Sequence, residues 1–341
     1  MWRRFKRGAA DDSRAGLSID DSRVSFASVH RRKDGTLRLA ASVIDEGAKK
    51  SGKDLQLAAR MDNIDPRKSK VTAVLPDASY QVLLLEVPNV PADEVNDAAR
   101  WQVKDLLDFP VDETVVEVFR LPRQSTADGK PIGYAVAARR RSIQEHIELF
   151  KSANLPLDVI DIPELCQRNV ATLLPQDEHG VAFLHFTQNR GILTITRQGV
   201  LYLVRRIEKG HGAINAASTG EFAVADLEPS NELDFLREPD EYPQGDDLSR
   251  SDLVSTIVSE IQRSLDFYDS HYDCPAVSEL ILSPGSNFGG LAKALNDQLG
   301  LAVSSLNLNR LFEMQSEMSS QEQSACLLAI GAALRTESLA A

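Results

Sequence analysis

The sequence predicts a two-lobed α/β protein with a small α+β subdomain set into its first lobe. Three observations predict it: a strand-rich meander opens the chain, the same pattern restarts at Val181, and a strand-helix-strand-strand-helix order over residues 80–154 interrupts the first copy. A length of 341 residues is ample for two cores, and 43% hydrophobic against 26% charged residues is an ordinary globular balance.

Residues 1–14 read as a basic, flexible leader carrying two aromatics in Met1-Trp-Arg-Arg-Phe-Lys-Arg7. Such a tract is commonly a disordered end, and its functional reading is contact with an anionic membrane surface or an acidic partner. Residues 15–79 form the first part of the first lobe. Apolar alternation on either side of a polar tip at Asp20 to Arg23 gives strand, turn, strand over 16–29, and further strands follow at 37–43 and 71–75.

In the insert, residues 80–87 alternate as a strand and Pro88 and Pro91 break it. Val95, Ala98, Ala99, Val103, Leu106 and Leu107 then recur at helical spacing over 92–107, with Asp93 and Glu94 suited to the first turn. Phe109-Pro110 ends that helix. Strands at 114–121 and 132–138 enclose a turn-rich loop at 126–129, and a helix over 142–153 closes the insert. Residues 155–178 return to the first lobe.

The second lobe is expected over 179–335, from three meander strands starting at 181, 191 and 200. Residues 219–247 are an acidic, proline-containing excursion. In the helix that follows, Val254, Ile257, Val258, Ile261, Leu265 and Tyr268 make one stripe, and strand, turn, helix and strand succeed it from Glu279 to Val303. The last helix, over 322–335, is rich in small residues. Its interior Gly331 costs about 1 kcal/mol of helix propensity, which close packing against a sheet would repay. Residues 336–341 are a tail.

Composition excludes several function classes. A net charge of −12 with 6% aromatic residues is unsuited to nucleic acid, which needs cationic surface and stacking platforms. No window approaches the roughly 20 apolar residues of a bilayer span, so a cytoplasmic protein is expected. Cys166, Cys274 and Cys326 share no C-x-x-C spacing and the six histidines no metal-ligand spacing, so neither a metal nor a catalytic residue is assigned. His185 lies in an apolar run and reads as a core histidine.

The order of these elements, together with Trp101-Gln-Val-Lys-Asp-Leu-Leu-Asp-Phe-Pro110, Tyr134-Ala-Val-Ala-Ala138, Asn154-Leu-Pro-Leu-Asp-Val-Ile-Asp161, Glu260-Ile-Gln-Arg-Ser-Leu-Asp-Phe267 and the small-residue last helix, resembles the PilM family of type IV pilus assembly proteins from about Gly16 to Arg335. Within the family it is most similar to the MshI branch, which serves the mannose-sensitive haemagglutinin (MSHA) pilus. The resemblance implies an actin-like fold and an adaptor at the cytoplasmic face of the inner membrane, with homodimerisation possible. The adaptor would bind the cytoplasmic tail of a bitopic, PilN-like membrane protein in a groove between the first lobe and the insert, and Trp101, Phe109 and Pro110 are the candidate contacts.

The same resemblance implies a degenerate nucleotide site. Where the family's first hairpin has Gly-Ile-Asp-Ile-Gly-Ser, this chain has Gly16-Leu-Ser18-Ile-Asp20-Asp21-Ser22, and the second hairpin has His185 and Thr187 in place of Asp-Ile-Gly. Glu260 and Arg263 stand where the family approaches ribose, and Gly285 is what remains of the adenosine turn. A carboxylate about 4 Å from a phosphate charge costs roughly 4 kcal/mol at an effective dielectric of 20. Asp20 and Asp21 facing a triphosphate would therefore weaken a micromolar site to millimolar or worse. No cofactor is expected. ATP with Mg²⁺ is the disfavoured alternative, that of an actin-like ATPase of the pilus machinery, and it carries more weight than a filament former.

Overall fold

In the computed structural model, residues 13–19, 23–45, 70–125, 130–187, 190–209, 245–285 and 291–336 are described. The expected loop at 126–129, the hairpin tip at Asp20, Asp21 and Ser22, and most of the acidic excursion lie outside them. The chain divides into two compact units: residues 1–174 with 307–341, and residues 175–306.

The first unit is built on a five-stranded sheet. Strands β1 (Ser13–Ile19), β2 (Arg23–Arg31) and β3 (Leu37–Asp45) form an antiparallel meander, and β4 (Lys70–Val74) and β8 (Leu157–Asp161) extend it in parallel, in the order β3-β2-β1-β4-β8. Alternation along β1 sends Ala15, Leu17 and Ile19 into one core with Phe26, Val71 and Ala73. Gly16 takes the opposite face. A methyl there would lie 1.9 Å from the Ala329 carbonyl oxygen, so only glycine lets the last helix, α6 (Ser320–Ala333), cross the sheet at this height.

That helix corrects the expected boundary. It was read as the end of the second lobe, but Asn307–Ala341 belongs with the first unit, where α6 packs on β1, β2 and β4 and on α3 (Pro163–Ala171). Gly331 is a close-approach glycine as expected, although the surface it meets is a helix: a methyl would sit 2.2 Å from the Cys166 carbonyl oxygen. Asn169 donates from Nδ2 to the Gly331 carbonyl at 2.9 Å, fixing the crossing. Helix α3 was not anticipated. Its core-facing side carries Glu164, Gln167 and Asn169, all buried, which hides the apolar stripe on which sequence reading depends.

The insert is a separate antiparallel sheet, β5-β7-β6, made of β5 (Tyr80–Glu86), β6 (Thr114–Ser125) and β7 (Pro131–Arg139). Helix α1 (Val95–Val103) is shorter than the expected 92–107, because a 3₁₀ turn at Lys104–Leu106 follows it directly. Helix α2 (Arg140–Ser152) spans both cores of this unit. Its Phe150 enters the first-lobe core, and Ile143 packs with Leu75, Tyr80, Ala138 and Ile162 on the insert.

The second unit repeats the first sheet. Strands β9 (Val181–Phe186), β10 (Gly191–Arg197) and β11 (Val200–Ile207) form the meander, with β12 (Glu279–Leu282) and β13 (Ala302–Ser305) parallel to β9, in the order β11-β10-β9-β12-β13. Every residue of β9 is buried, as a central strand covered on both faces requires. Helix α4 (Gly245–His271) presents Ile257, Ile261, Leu265 and Tyr268 inward along the expected stripe, and α5 (Leu291–Leu299) lies beside it. Tyr202 stacks edge-on against Tyr268 and Tyr272, and burial raises the Tyr268 hydroxyl pKa well above the ordinary tyrosine value.

Candidate functional site

The residues assigned to a nucleotide site are engaged in local structure. Ser18 is half-buried mid-ladder, opposite Ser25 on β2 and Val74 on β4. Asp20, Asp21 and Ser22 fall outside the described residues. In the second unit His185 is 4% exposed with Nδ1 3.1 Å from the Ser283 hydroxyl, a partnered core histidine as its apolar run suggested. Thr187 closes its own turn, its hydroxyl donating to the Arg190 carbonyl at 3.1 Å and accepting from the Arg190 amide at 3.2 Å. Glu260 and Arg263 pair at 2.9 Å across one turn of α4, with Arg263 largely in solvent. Gly285 turns the chain after β12 at a φ of +72°. The structure brings His185 and Gly285 into one neighbourhood, through Ser283. Among the described residues, no group of His, Cys, Asp and Glu is placed to hold a metal ion. Cys166 is an inert packing thiol whose pKa burial pushes well above the ordinary value.

The insert has two faces, and strand alternation decides what each one does. Leu83, Leu85, Val116, Val118, Ala135 and Ala137 point to one side, where α1 covers them with Val95, Ala99 and Val103. Trp101 is on the outer surface of that helix, 56% exposed, with the Arg100 guanidinium 6.0 Å from its ring. It takes no part in the subdomain's own core. Phe109 packs at the edge of that core with the Arg139 guanidinium 4.9 Å from its ring, and the Pro110 carbonyl accepts from the Thr114 hydroxyl at 2.8 Å. Trp101 thus faces out from α1, while Phe109 and Pro110 lie at the end of the insert sheet that carries Gln81, Thr114 and Arg139.

The other face carries Tyr80, Val82 and Leu84 of β5 with Val136, Tyr134 and Ala138 of β7, paired in register. At one end the first lobe covers it. There Tyr80 donates to the buried Glu164 carboxylate of α3 at 2.5 Å, and Leu75 and Ile162 close the contact. Toward the other end the cover stops. Leu84 is 41% exposed, Val82, Val136 and Phe119 are half-buried, and Phe119 lies tilted against Tyr134 with ring centroids 5.5 Å apart. Ile143 and, one turn on, Ile147 of α2 are half-buried as well. The result is an apolar surface at the junction of insert and first lobe, with α2 beside it.

The two edges of this sheet differ. On β6 the Val118 amide donates to the Asn96 side chain of α1 at 3.0 Å, and Asn96 donates to the Glu117 carboxylate at 2.8 Å, so a side chain has taken the place of an incoming strand. The outer side of β5 meets no strand among the described residues. An extended peptide could add there and set alternate side chains on Val82 and Leu84. Sequence reading missed these residues because alternation shows that a strand has two faces without showing which one stays open.

Comparison with known proteins agrees with this architecture. The family model described as type IV pilus assembly protein PilM matches residues 88–337. The solved PilM–PilN type IV pilus biogenesis complex superposes with a TM-score of 0.67 at 18% identity, covering 93% of this chain and 97% of that one. Weaker likenesses include the cytoplasmic domain of EpsL, an inner-membrane component of the Vibrio cholerae type II secretion system, at a TM-score of 0.43 and 9% identity over 92% of this chain and 94% of that one. The ethanolamine utilization protein EutJ of Carboxydothermus hydrogenoformans gives 0.47 and 7% identity over 94% and 89%. The fold shared with the PilM–PilN relative is the actin-like one. No match was found among curated protein sequences.

Proposed function

Because the chain belongs to the PilM family of type IV pilus assembly proteins, we propose that it is an adaptor that holds the cytoplasmic tail of a PilN-like inner-membrane protein against the open face of its insert. One observation carries this reading: an apolar surface flanked by an available strand edge and a helix, which is what an extended peptide needs and what catalysis does not. The solved relative was determined as a complex with PilN, which supports a partner of that type. In this reading the PilN-like partner tethers the adaptor at the cytoplasmic face of the inner membrane; among the described residues no helix is long and apolar enough to cross a membrane.

By the same sequence resemblance the chain is assigned to the MSHA-type branch, with MshI as its nearest counterpart. The nucleotide site is degenerate in this reading, since Ser18 and His185 stand where the family pattern has acidic residues, the first in the sheet ladder and the second partnered in the core. The test is titration of a labelled PilN-like tail peptide into the full chain. Leu84→Asp puts a charge on the open surface and is expected to weaken binding about tenfold or more. Unchanged affinity in that variant would remove the assignment of the surface.

A further inference from the structure

We infer that the insert carries a second docking surface, the outward face of α1, and that its occupant is a cationic amphipathic helix of a partner protein. This face is separate from the tail surface, because α1 covers the sheet face opposite the open one. Among the described residues the exposed large apolar side chains are Leu84, Trp101 and Leu106, and the last two belong to α1 and the 3₁₀ turn that continues it. Neither is part of the insert's core. Tryptophan is enriched among the few residues that carry most of an interface's binding energy, since its large rigid ring gains much by being covered.

The surroundings of Trp101 are acidic. Glu94, Asp97 and Asp105 follow the spacing of three or four residues that puts them on its stripe of the helix, and all three are exposed. Asp97 holds Arg100 at 3.6 Å, and the same guanidinium lies 6.0 Å from the Trp101 ring, so the nearest cation is engaged within the helix. Residues 91–113 hold seven Asp and Glu, all exposed, against Arg100 and Lys104, so these 23 residues carry −5 of the chain's net −12. On the flank of α1 that carries Gln102 a hollow of about 480 Å³ opens, lined by Val87, Pro88, Asn89 and Pro131 and by the ion pair of Glu86 with Lys130 at 2.8 Å. A cavity of about 150 Å³ already admits a benzene ring, so the hollow has room for a partner's bulky apolar side chain.

An apolar anchor set in an acidic field selects its occupant. Nucleic acid and an anionic bilayer surface would reach Trp101 only against like charge. A cationic segment is instead steered toward it. That segment must also present an apolar stripe to cover the indole, and along the convex side of a helix a second helix does so continuously, with apolar side chains at i, i+3, i+4 and i+7. Strand addition is not offered at the neighbouring edge, where the Val118 amide of β6 is taken by Asn96 at 3.0 Å.

The experiment is a titration of the full chain with a peptide of about 18 residues, five helical turns, that has leucine along one face and lysine on the other. Trp2 and Trp101 are the two tryptophans, so Trp2→Phe leaves Trp101 as sole reporter, and its emission should shift saturably to shorter wavelength as the peptide covers it. Binding is expected to weaken with added salt. The same residues in scrambled order, and the parent order with glutamate for lysine, should each bind about tenfold more weakly or worse. With a labelled peptide, Trp101→Ala should lower affinity about tenfold or more, and Asp97→Asn with Asp105→Asn about threefold or more, with unchanged circular dichroism spectra. Asp269→Asn with Asp273→Asn, an equal change of exposed charge on the second unit, should bind as the parent does. No binding, equal binding of the scrambled peptide, indifference to Trp101→Ala, or an equal loss from the second-unit pair would each overturn the proposal. So would a shift that follows protein concentration without peptide, as a second copy covering the face would give. No tail peptide is present, so this outcome is independent of the open surface on the insert.

Discussion

Trp101 is the most conspicuous side chain on the insert, yet the structure gives it little to do for stability: with 56% of it exposed, Trp101→Ala should cost no more than about 0.5 kcal/mol in chemical denaturation. Tail affinity should also survive that change while Leu84→Asp loses it, a contrast that one peptide titration reads directly. Gly331 runs the other way. Alanine would gain about 1 kcal/mol of helix propensity, but its methyl would lie 2.2 Å from the backbone oxygen of Cys166. Overpacking of that kind costs about 1–3 kcal/mol, so Gly331→Ala should lower the urea midpoint. The close approach was legible in the sequence, as a glycine inside an otherwise good helix. Its partner was not, since nothing in the spacing of residue 331 points to residue 166. The same limit explains the site: Val82, Leu84 and Val136 carry an ordinary strand pattern, and only the position of the first lobe decides that half of that face stays open.

At the scale of elements, nearly all strands of both meanders were legible because each alternates between short turn signals, as from Val181 to Ile207. Where the pattern failed, polar groups had been taken inside. Helix α3 buries Glu164 and Gln167 completely, and a helix with buried polar residues has no clean stripe to read. The contact that Glu164 makes with Tyr80 ties the insert to the first lobe, at 2.5 Å between two side chains 84 residues apart. Tyr80→Phe removes the donor and keeps the ring. The expected loss is about 1.5–3 kcal/mol, the range for a hydrogen bond to a charged group, measured by equilibrium unfolding. The last helix is started by a capping box in which Ser319 accepts from the Glu322 amide and Glu322 accepts from the Ser319 amide. That pairing lowers the Glu322 pKa, so whatever it contributes is present above the unfolded carboxyl value and is lost as pH falls through the folded one. Ser319→Ala should cost about 1 kcal/mol at neutral pH.

For the whole molecule, the degenerate site makes a ligand-linkage prediction. A nucleotide present at 100 times its dissociation constant would add about 2.7 kcal/mol of stability. No rise in melting temperature with Mg-ATP is expected, and a saturable rise would restore the ATPase reading. The two-lobed, repeated plan was legible from the restart at Val181, but the boundary was not, because sequence order suggests that a chain finishes in the lobe it entered last. Residues 175–306 are expected to fold alone, whereas a fragment ending at residue 306 should be insoluble for want of α6. The return of the chain to its first unit also sets a clock on synthesis. Between Leu174 and Ala333 the ribosome adds 159 residues, about 10–30 s at ordinary elongation rates, during which one face of the nascent first sheet has no helix to cover it. The second unit can fold as it emerges, while the first cannot complete its packing until the last turn of the chain is released.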